Sequence, residues 1–427
     1  MRLRPSARFG LFALLGLMMS WLVACGSGQP TATAPAEGGA QEVEFWTMQL
    51  QPDFTDYFNG LIADYEAQNP GVTVRWVDVP WADMQSKILT AVTAGTAPDV
   101  VNLNPDFAAQ LASRNAWMPL DDKVPAEAKQ VYLPNIWEAN TLNGQSFGIP
   151  WYLTTNVTLH NQELLEAAGV EPPTTYAELA EVARQVKEKT GKYAYFTTFV
   201  PEDSADVMQS FVQMGVELVD DQGQAAFDTD AGRAVFQYWT DLYQQELLPQ
   251  EVLTQGHRRA IDLYQSGEVA LLSTGAEFFP TIEANAPDIA AVTGSGPQIT
   301  GDTGKTNVAV MNVVIPASTD VPEAAIDFAL YVTNDANQLA FAKAANVLPS
   351  TTGALEDSYF AAEGTKGVEK ARSVSAEQMN QAEVLIPAMD GVKELQAIIY
   401  DNLQAAMLGQ KTVDQAVSDA AAAWNAR

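Results

Sequence analysis

Lys87-Ile-Leu-Thr-Ala-Val-Thr-Ala-Gly-Thr-Ala-Pro-Asp-Val-Val101 holds a helix end, a tight turn and a buried strand within fifteen residues. Trp81–Ala94 reads as a helix closed by Gly95-Thr-Ala-Pro98, since glycine accepts the left-handed conformation at a helix end and proline cannot continue the helix. Asp99-Val-Val-Asn102 then reads as a strand. Upstream, Val43–Trp46 is a short strand. Phe54, Tyr57, Phe58, Leu61, Ile62 and Tyr65 give Phe54–Gln68 helical spacing. Asn69-Pro70-Gly71 stops that helix, and Val72–Val77 alternates as a second strand. Strand–helix–strand–helix–strand with short loops predicts an α/β class with a mostly parallel, doubly wound sheet.

Downstream of Gly148-Ile-Pro150 the pattern changes. Thr155–His160 reads as a strand and Asn161–Ala168, Thr175–Thr190, Glu202–Gly215, Ala231–Glu246 and Arg259–Ser266 as helices, with a hairpin around Asp220–Gly223. Val269–Ser273 and Val308–Ile315 are further strands, Pro322–Thr333 and Ala336–Ala345 further helices, and Ser375–Asn425 is almost wholly helical. Strands that resume so late fit two α/β lobes joined by more than one crossing.

The N-terminus carries a different message. Arg2, Arg4 and Arg8 precede an apolar stretch, Phe9–Ala24, which ends at Cys25, the only cysteine of 427 residues. Sixteen residues are short for a membrane span, and this layout is that of a secretory signal. Residues 1–24 are therefore expected to be removed. Gly26–Gln41 is rich in Gly, Ala, Pro and Thr and is expected to be a spacer. Beyond the leader, 20 basic residues face 53 acids, a net charge near −33. Such a charge repels nucleic acid and anionic lipid head groups. A single cysteine forms no intramolecular disulfide, so stability must come from core burial.

No catalytic signature stands out. Gly301-Asp-Thr-Gly-Lys305-Thr306 ends like a phosphate loop, but position 299 is Ile where the motif needs Gly, and no helix-forming run follows. Asp228-Thr-Asp230 lacks the remaining ligands of a calcium loop and is read as a turn, with Asp230 capping the next helix. His160 and His257, the only histidines, lie far apart and outside any HExxH frame, so neither zinc nor a metal of another kind is expected. No GxSxG elbow is present. Paired carboxylates for glycoside hydrolysis stay open, because 53 acids supply many pairs and spacing singles none out.

Leu22-Val-Ala-Cys25 resembles the lipobox of bacterial lipoproteins, which implies lipidation of Cys25 and a chain held outside the cytoplasm at the cell envelope. Residues 43–427 resemble the extracellular solute-binding proteins of sugar ABC transporters, the group that includes maltose-binding protein. Four stretches carry the likeness: Glu44-Phe-Trp46 with Tyr65–Val74, Lys87–Val101, Phe147-Gly-Ile-Pro150 with Asn161–Leu165, and Val314-Ile-Pro316 with Glu323–Thr333 and Val347-Leu-Pro-Ser350. His160 departs from the family, which commonly has Tyr before the Asn.

The resemblance implies a two-lobed, type II periplasmic-binding-protein-like fold that closes about a hinge. Lobe one would be 42–153 plus 298–351, and lobe two 154–297 plus 352–427. It further implies a monomeric, non-enzymatic binder without cofactor, which captures a neutral sugar or oligosaccharide and hands it to an ABC permease. Aromatic faces and planar amides or carboxylates would recognise the sugar. Position by position, the candidates are Thr47, Met48 and Gln49; Asn102, Asn104 and Asp106; Trp151, Tyr152, Thr154 and Asn156; Phe199, Glu202 and Asp203; Gly275, Glu277 and Phe278 or Phe279; and Asn307 and Asn312. Trp151 and Phe279 fit a core equally well. Asp106 also fits a helix cap, and Glu202 and Asp203 fit a first helical turn, where acids are favoured anyway. The competing readings are a secreted glycoside hydrolase, a polyol or polyamine binder, and a ligand sensor for a membrane kinase.

Overall fold

Strand β1 (Gln41–Met48), helix α1 (Thr55–Gln68), strand β2 (Val72–Val79), helix α2 (Trp81–Ala94) and strand β3 (Val100–Leu103) follow the expected order. They belong to a computed structural model that describes residues 40–427 apart from 105–106, 109–110, 112–113, 202, 362–366 and 387–388. Gly95 ends α2 at φ 68°, its N–H reaching the carbonyls of Ala91 and Val92. β1 lies parallel to both β2 and β3, as right-handed strand–helix–strand crossovers require.

The rest of the sheet corrects the expectation of mostly parallel pairing. Past a two-strand hairpin, β4 (Thr141–Leu142) and β5 (Gln145–Ser146), come β6 (Ile149–Asn161), β7 (Leu271–Gly275), β8 (Thr293–Gly296), β9 (Thr306–Val314), β10 (Leu348–Pro349) and β11 (Ala382–Glu383). The main sheet runs β10-β6-β9-β3-β1-β2. β9 is antiparallel to β3 and β6, and β6 is antiparallel to β7, β8 and β10. Among the described strands, only β11 adds another parallel pair, with β9. Apolar periodicity finds a buried strand but carries no sign of its direction.

β6 is the structural bridge. Its first half, Ile149–Thr155, pairs with β9 and β10, and its second half, Asn156–Asn161, pairs with β7 and β8. The register shifts between Pro150 and Leu153, where a proline cannot donate to the ladder. The two halves enter different cores. One core gathers Phe45, Phe58, Trp151, Phe328 and Phe341, with Trp151 stacked on Phe341 at 5.0 Å. The other gathers Trp239 against Tyr176 and Phe199, each at 5.8 Å, and its indole N–H donates to Ser210 Oγ at 3.0 Å. Phe360, Met379 and Ala382, late in the chain, join the first core.

Three local expectations are also revised. Helix Asp206–Gln213 is shorter than the reading from Glu202 to Gly215. The tail is broken between residues 378 and 391, where β11 docks on β9, before Val392–Met407 and Val413–Asn425 resume as helices. Thr229 and not Asp230 caps the helix Asp230–Gln244: its hydroxyl accepts the Gly232 N–H, because the cap residue must sit outside the helical φ/ψ region. Thr306, as read, is followed by no helix and opens β9. Among the described residues no helix is long and apolar enough to cross a membrane.

Candidate functional site

Strand ends and helix starts converge between the two cores. After β2, Pro80 leads directly into α2, which puts Trp81 on the first turn. The β1–α1 loop beside it is pinned by one carboxylate: Asp78 accepts from Thr47 Oγ1 at 2.6 Å, from the Leu50 N–H at 2.9 Å and from the Gln51 N–H at 3.1 Å. Gln49, at φ 53°, accepts the Trp81 N–H at 3.3 Å. Asn104 follows β3 and accepts the Phe107 N–H at 2.9 Å.

The facing wall is built on β6, β7 and the start of helix Asp206–Gln213. Asn156 pairs with Gly275 across the β6–β7 ladder, and its amide donates to Asp206 Oδ1 at 3.5 Å. Asp203 accepts the His257 N–H at 2.7 Å, and His257 Nε2 meets Thr274 Oγ1 at 3.2 Å. Two glycines make room for carboxylates. A Cβ on Gly256 would lie 2.2 Å from Asp203 Oδ1, and one on Gly275 would lie 2.1 Å from Glu277 Oε2.

Between the walls lies a cavity of about 850 Å³, lined on one side by Trp81, Gln85, Asn104 and Phe107 and on the other by Asn156, Asp203, Asp206, His257, Glu277 and Phe278. Trp81 is 46% exposed and Phe278 36%, so two large aromatic faces look into solvent. Burial pushes the Glu277 carboxyl up to about 7 and raises that of Asp206, which the His257 ring pulls the other way. Aromatic faces beside amides and carboxylates can cover sugar C–H surfaces and pair with hydroxyls. A second cavity of about 750 Å³ adjoins the first, shares Trp81, Asn104, Glu277 and Phe278 with it, and reaches β6 and β9. Among the described residues no three His, Cys, Asp or Glu side chains are grouped to hold a metal ion.

Of the sequence candidates, Gln49, Asn104, Tyr152, Thr154, Asn156, Asp203, Gly275, Glu277, Phe278 and Asn307 line one or both cavities. Trp151 lies in the first core and Phe199 and Phe279 in the second, all fully packed away from the cavities. Met48 is buried under α2, and Asn102 and Asn312 are buried together, Asn102 Nδ2 donating to the Asn312 carbonyl at 3.3 Å. Asp106, Glu202 and Cys25 lie outside the described residues. Trp81, Asp206 and His257 were absent from the sequence candidates. The available signal was positional: Trp81 starts a helix directly after a strand, where α/β folds place ligands.

An α/β molecule with a cavity between two apolar cores has the architecture of a ligand-binding protein. The chain belongs to the bacterial extracellular solute-binding protein family, whose profile matches residues 51–339. Membership places it outside the cytoplasm and makes it a binding protein. A Synechococcus structure titled a "putative oligosaccharide periplasmic-binding protein" is 47% identical, with a TM-score of 0.85 over 90% of this chain and 98% of that one. That protein has also been solved in complex with zinc. The arabinooligosaccharide-binding protein of Halalkalibacterium halodurans is 27% identical over 70% of this chain and 69% of its own. The cyclic alpha-maltosyl-1,6-maltose binding protein of Arthrobacter globiformis shares the fold, with 21% identity and a TM-score of 0.77 over 91% and 99% of the two chains.

Proposed function

We propose that this protein captures a neutral sugar or oligosaccharide in the interlobe cavity and delivers it to an ABC permease, tethered to the membrane by a lipid on Cys25. The observation that carries the reading is the pair of exposed aromatic faces, Trp81 and Phe278, across a cavity of about 850 Å³ edged by amides and carboxylates. A lobe division at 42–153 plus 298–351 against 154–297 plus 352–427 agrees with most members of the two cores, while Phe360, Met379 and Ala382 cross to the first core and Ile299 to the second. Closure is a population shift in which the ligand touches both walls only in the closed state. The names of the Synechococcus and Halalkalibacterium relatives support an oligosaccharide over a free amino acid or ion.

Asp203, Asp206 and Glu277 on one wall favour a second reading, a polyamine. A thermal-shift screen with oligosaccharides, polyols and polyamines separates the two. A ligand at a hundred times its Kd adds about 2.7 kcal/mol of stability. The sugar reading expects an upward melting shift with at least one oligosaccharide and none with spermidine. A shift with spermidine alone overturns it.

A further inference from the structure

The second cavity differs in character from the first. Its volume is about 750 Å³, and Leu50, Met208, Met311, Val384, Ile386 and Val392 are among its walls. These residues come from the β1–α1 loop, helix Asp206–Gln213, β9, the segment after β11 and the start of helix Val392–Met407, so elements of both cores enclose it. Leu50, Met208, Met311 and Val392 are buried, and Ile386 and Val384 are half-buried. The chamber opens into the polar cavity past Trp81, Asn104, Glu277 and Phe278. One ligand can therefore occupy both.

The second compartment is the more apolar of the two. A sugar ring in the polar cavity meets Asn156, Asp203, Asp206 and Glu277. A sugar ring pushed on into the second cavity would find partners in Gln49, Thr154 and Asn307, but hydroxyls turned against Leu50, Met208, Met311 and Ile386 would be unpaired and desolvated, which is unfavourable. An alkyl or aryl group there removes apolar wall from water, and the two methionines can adjust to its outline. Resting on the sugar reading above, we infer that the solute is a glycoside with an apolar aglycone: its sugar sits between Trp81 and Phe278, and its aglycone fills the chamber walled by Met208, Met311 and Ile386.

Titration calorimetry of the full chain with methyl and hexyl β-glucosides, β-galactosides and β-maltosides tests this, with free hexanol as a control. Each methylene buried should tighten binding about fourfold, so for the recognised sugar the hexyl glycoside binds at least tenfold tighter than the methyl one. Ile386→Asn removes that gain and leaves the methyl glycoside unchanged. If a sugar binds equally well with either tail, the chamber assignment falls and the sugar reading stands. If hexanol binds as tightly as the hexyl glycosides, the ligand is a plain apolar molecule and the assignment falls. If no glycoside of any sugar binds, both readings fall together. Should Ile386→Asn fail to fold, the tail dependence of the unaltered protein decides alone.

Discussion

Trp81 carries little of the fold and much of the proposed site. It is 46% exposed, and its nearest aromatic neighbour is Phe107 at 6.5 Å. Trp81→Ala should therefore change stability by less than about 0.5 kcal/mol, the usual range for exposed sites. Loss of an aromatic anchor of about 2 kcal/mol would weaken sugar binding roughly thirtyfold. Melting curves and calorimetric titration of the same variant read both effects. Glu277 makes a pH prediction. Its folded pKa of about 7 lies above its ordinary value of 4.5 because burial disfavours the charged form. Its contribution is then fully present below pH 4.5 and is lost as pH rises through 7, up to about 3 kcal/mol for a shift of that size. Asp206, raised by the same cause, adds in the same direction. The unliganded protein should lose stability between pH 5 and 8 in denaturant melts, and Glu277→Gln should flatten that slope. An unchanged slope would show Glu277 to be solvated. At this scale the sequence exposed residue types but not burial. Trp151 lies within β6 and Phe278 shortly after β7, and only the packing of Phe45, Phe58 and Phe341 around Trp151 separates a core ring from a cavity ring.

Loops between elements hold the site, and Asp78 shows how. It sits near the end of β2, and its carboxylate accepts one donor from Thr47 at the end of β1 and two from the β1–α1 loop, which contributes Gln49 and Leu50 to the cavity walls. Asp78→Ala leaves Thr47 Oγ1, a fully buried residue's hydroxyl, without that acceptor, and should cost about 1–3 kcal/mol. Hydrogen exchange of the Leu50 and Gln51 amides should accelerate in the variant. Unchanged exchange would show the loop to be held by other contacts. Elements were the most legible level of the chain: Trp81–Ala94 matches the sequence reading at both ends, because Pro80 and Gly95 punctuate it. Strand direction was not legible. β6 looks in sequence like a strand beginning near Thr155, yet it starts at Ile149. Pro150 and Trp151 hid the first half, since proline inside an apolar run argues against a strand unless a register shift accommodates it.

Across the whole molecule, β6 links the two apolar cores, and the second cavity lies against β6 and β9. The order of elements and the likeness of residues 43–427 to one family made the two-lobed fold readable, while the cavity required three dimensions. Its walls come from Gln49 and Phe278, more than two hundred positions apart, and no periodicity links such residues. Membership of an extracellular family supplies the address, and the cavity supplies the proposed task of holding a solute there. Small-angle X-ray scattering tests the central claim, capture of a solute between closing lobes, most directly. With a saturating amount of the oligosaccharide or glycoside that most raises the melting temperature, the radius of gyration of the protein should fall, and Trp81→Ala with Phe278→Ala should abolish the fall. A sugar that binds with no contraction, or a contraction that survives loss of both rings, would contradict the account.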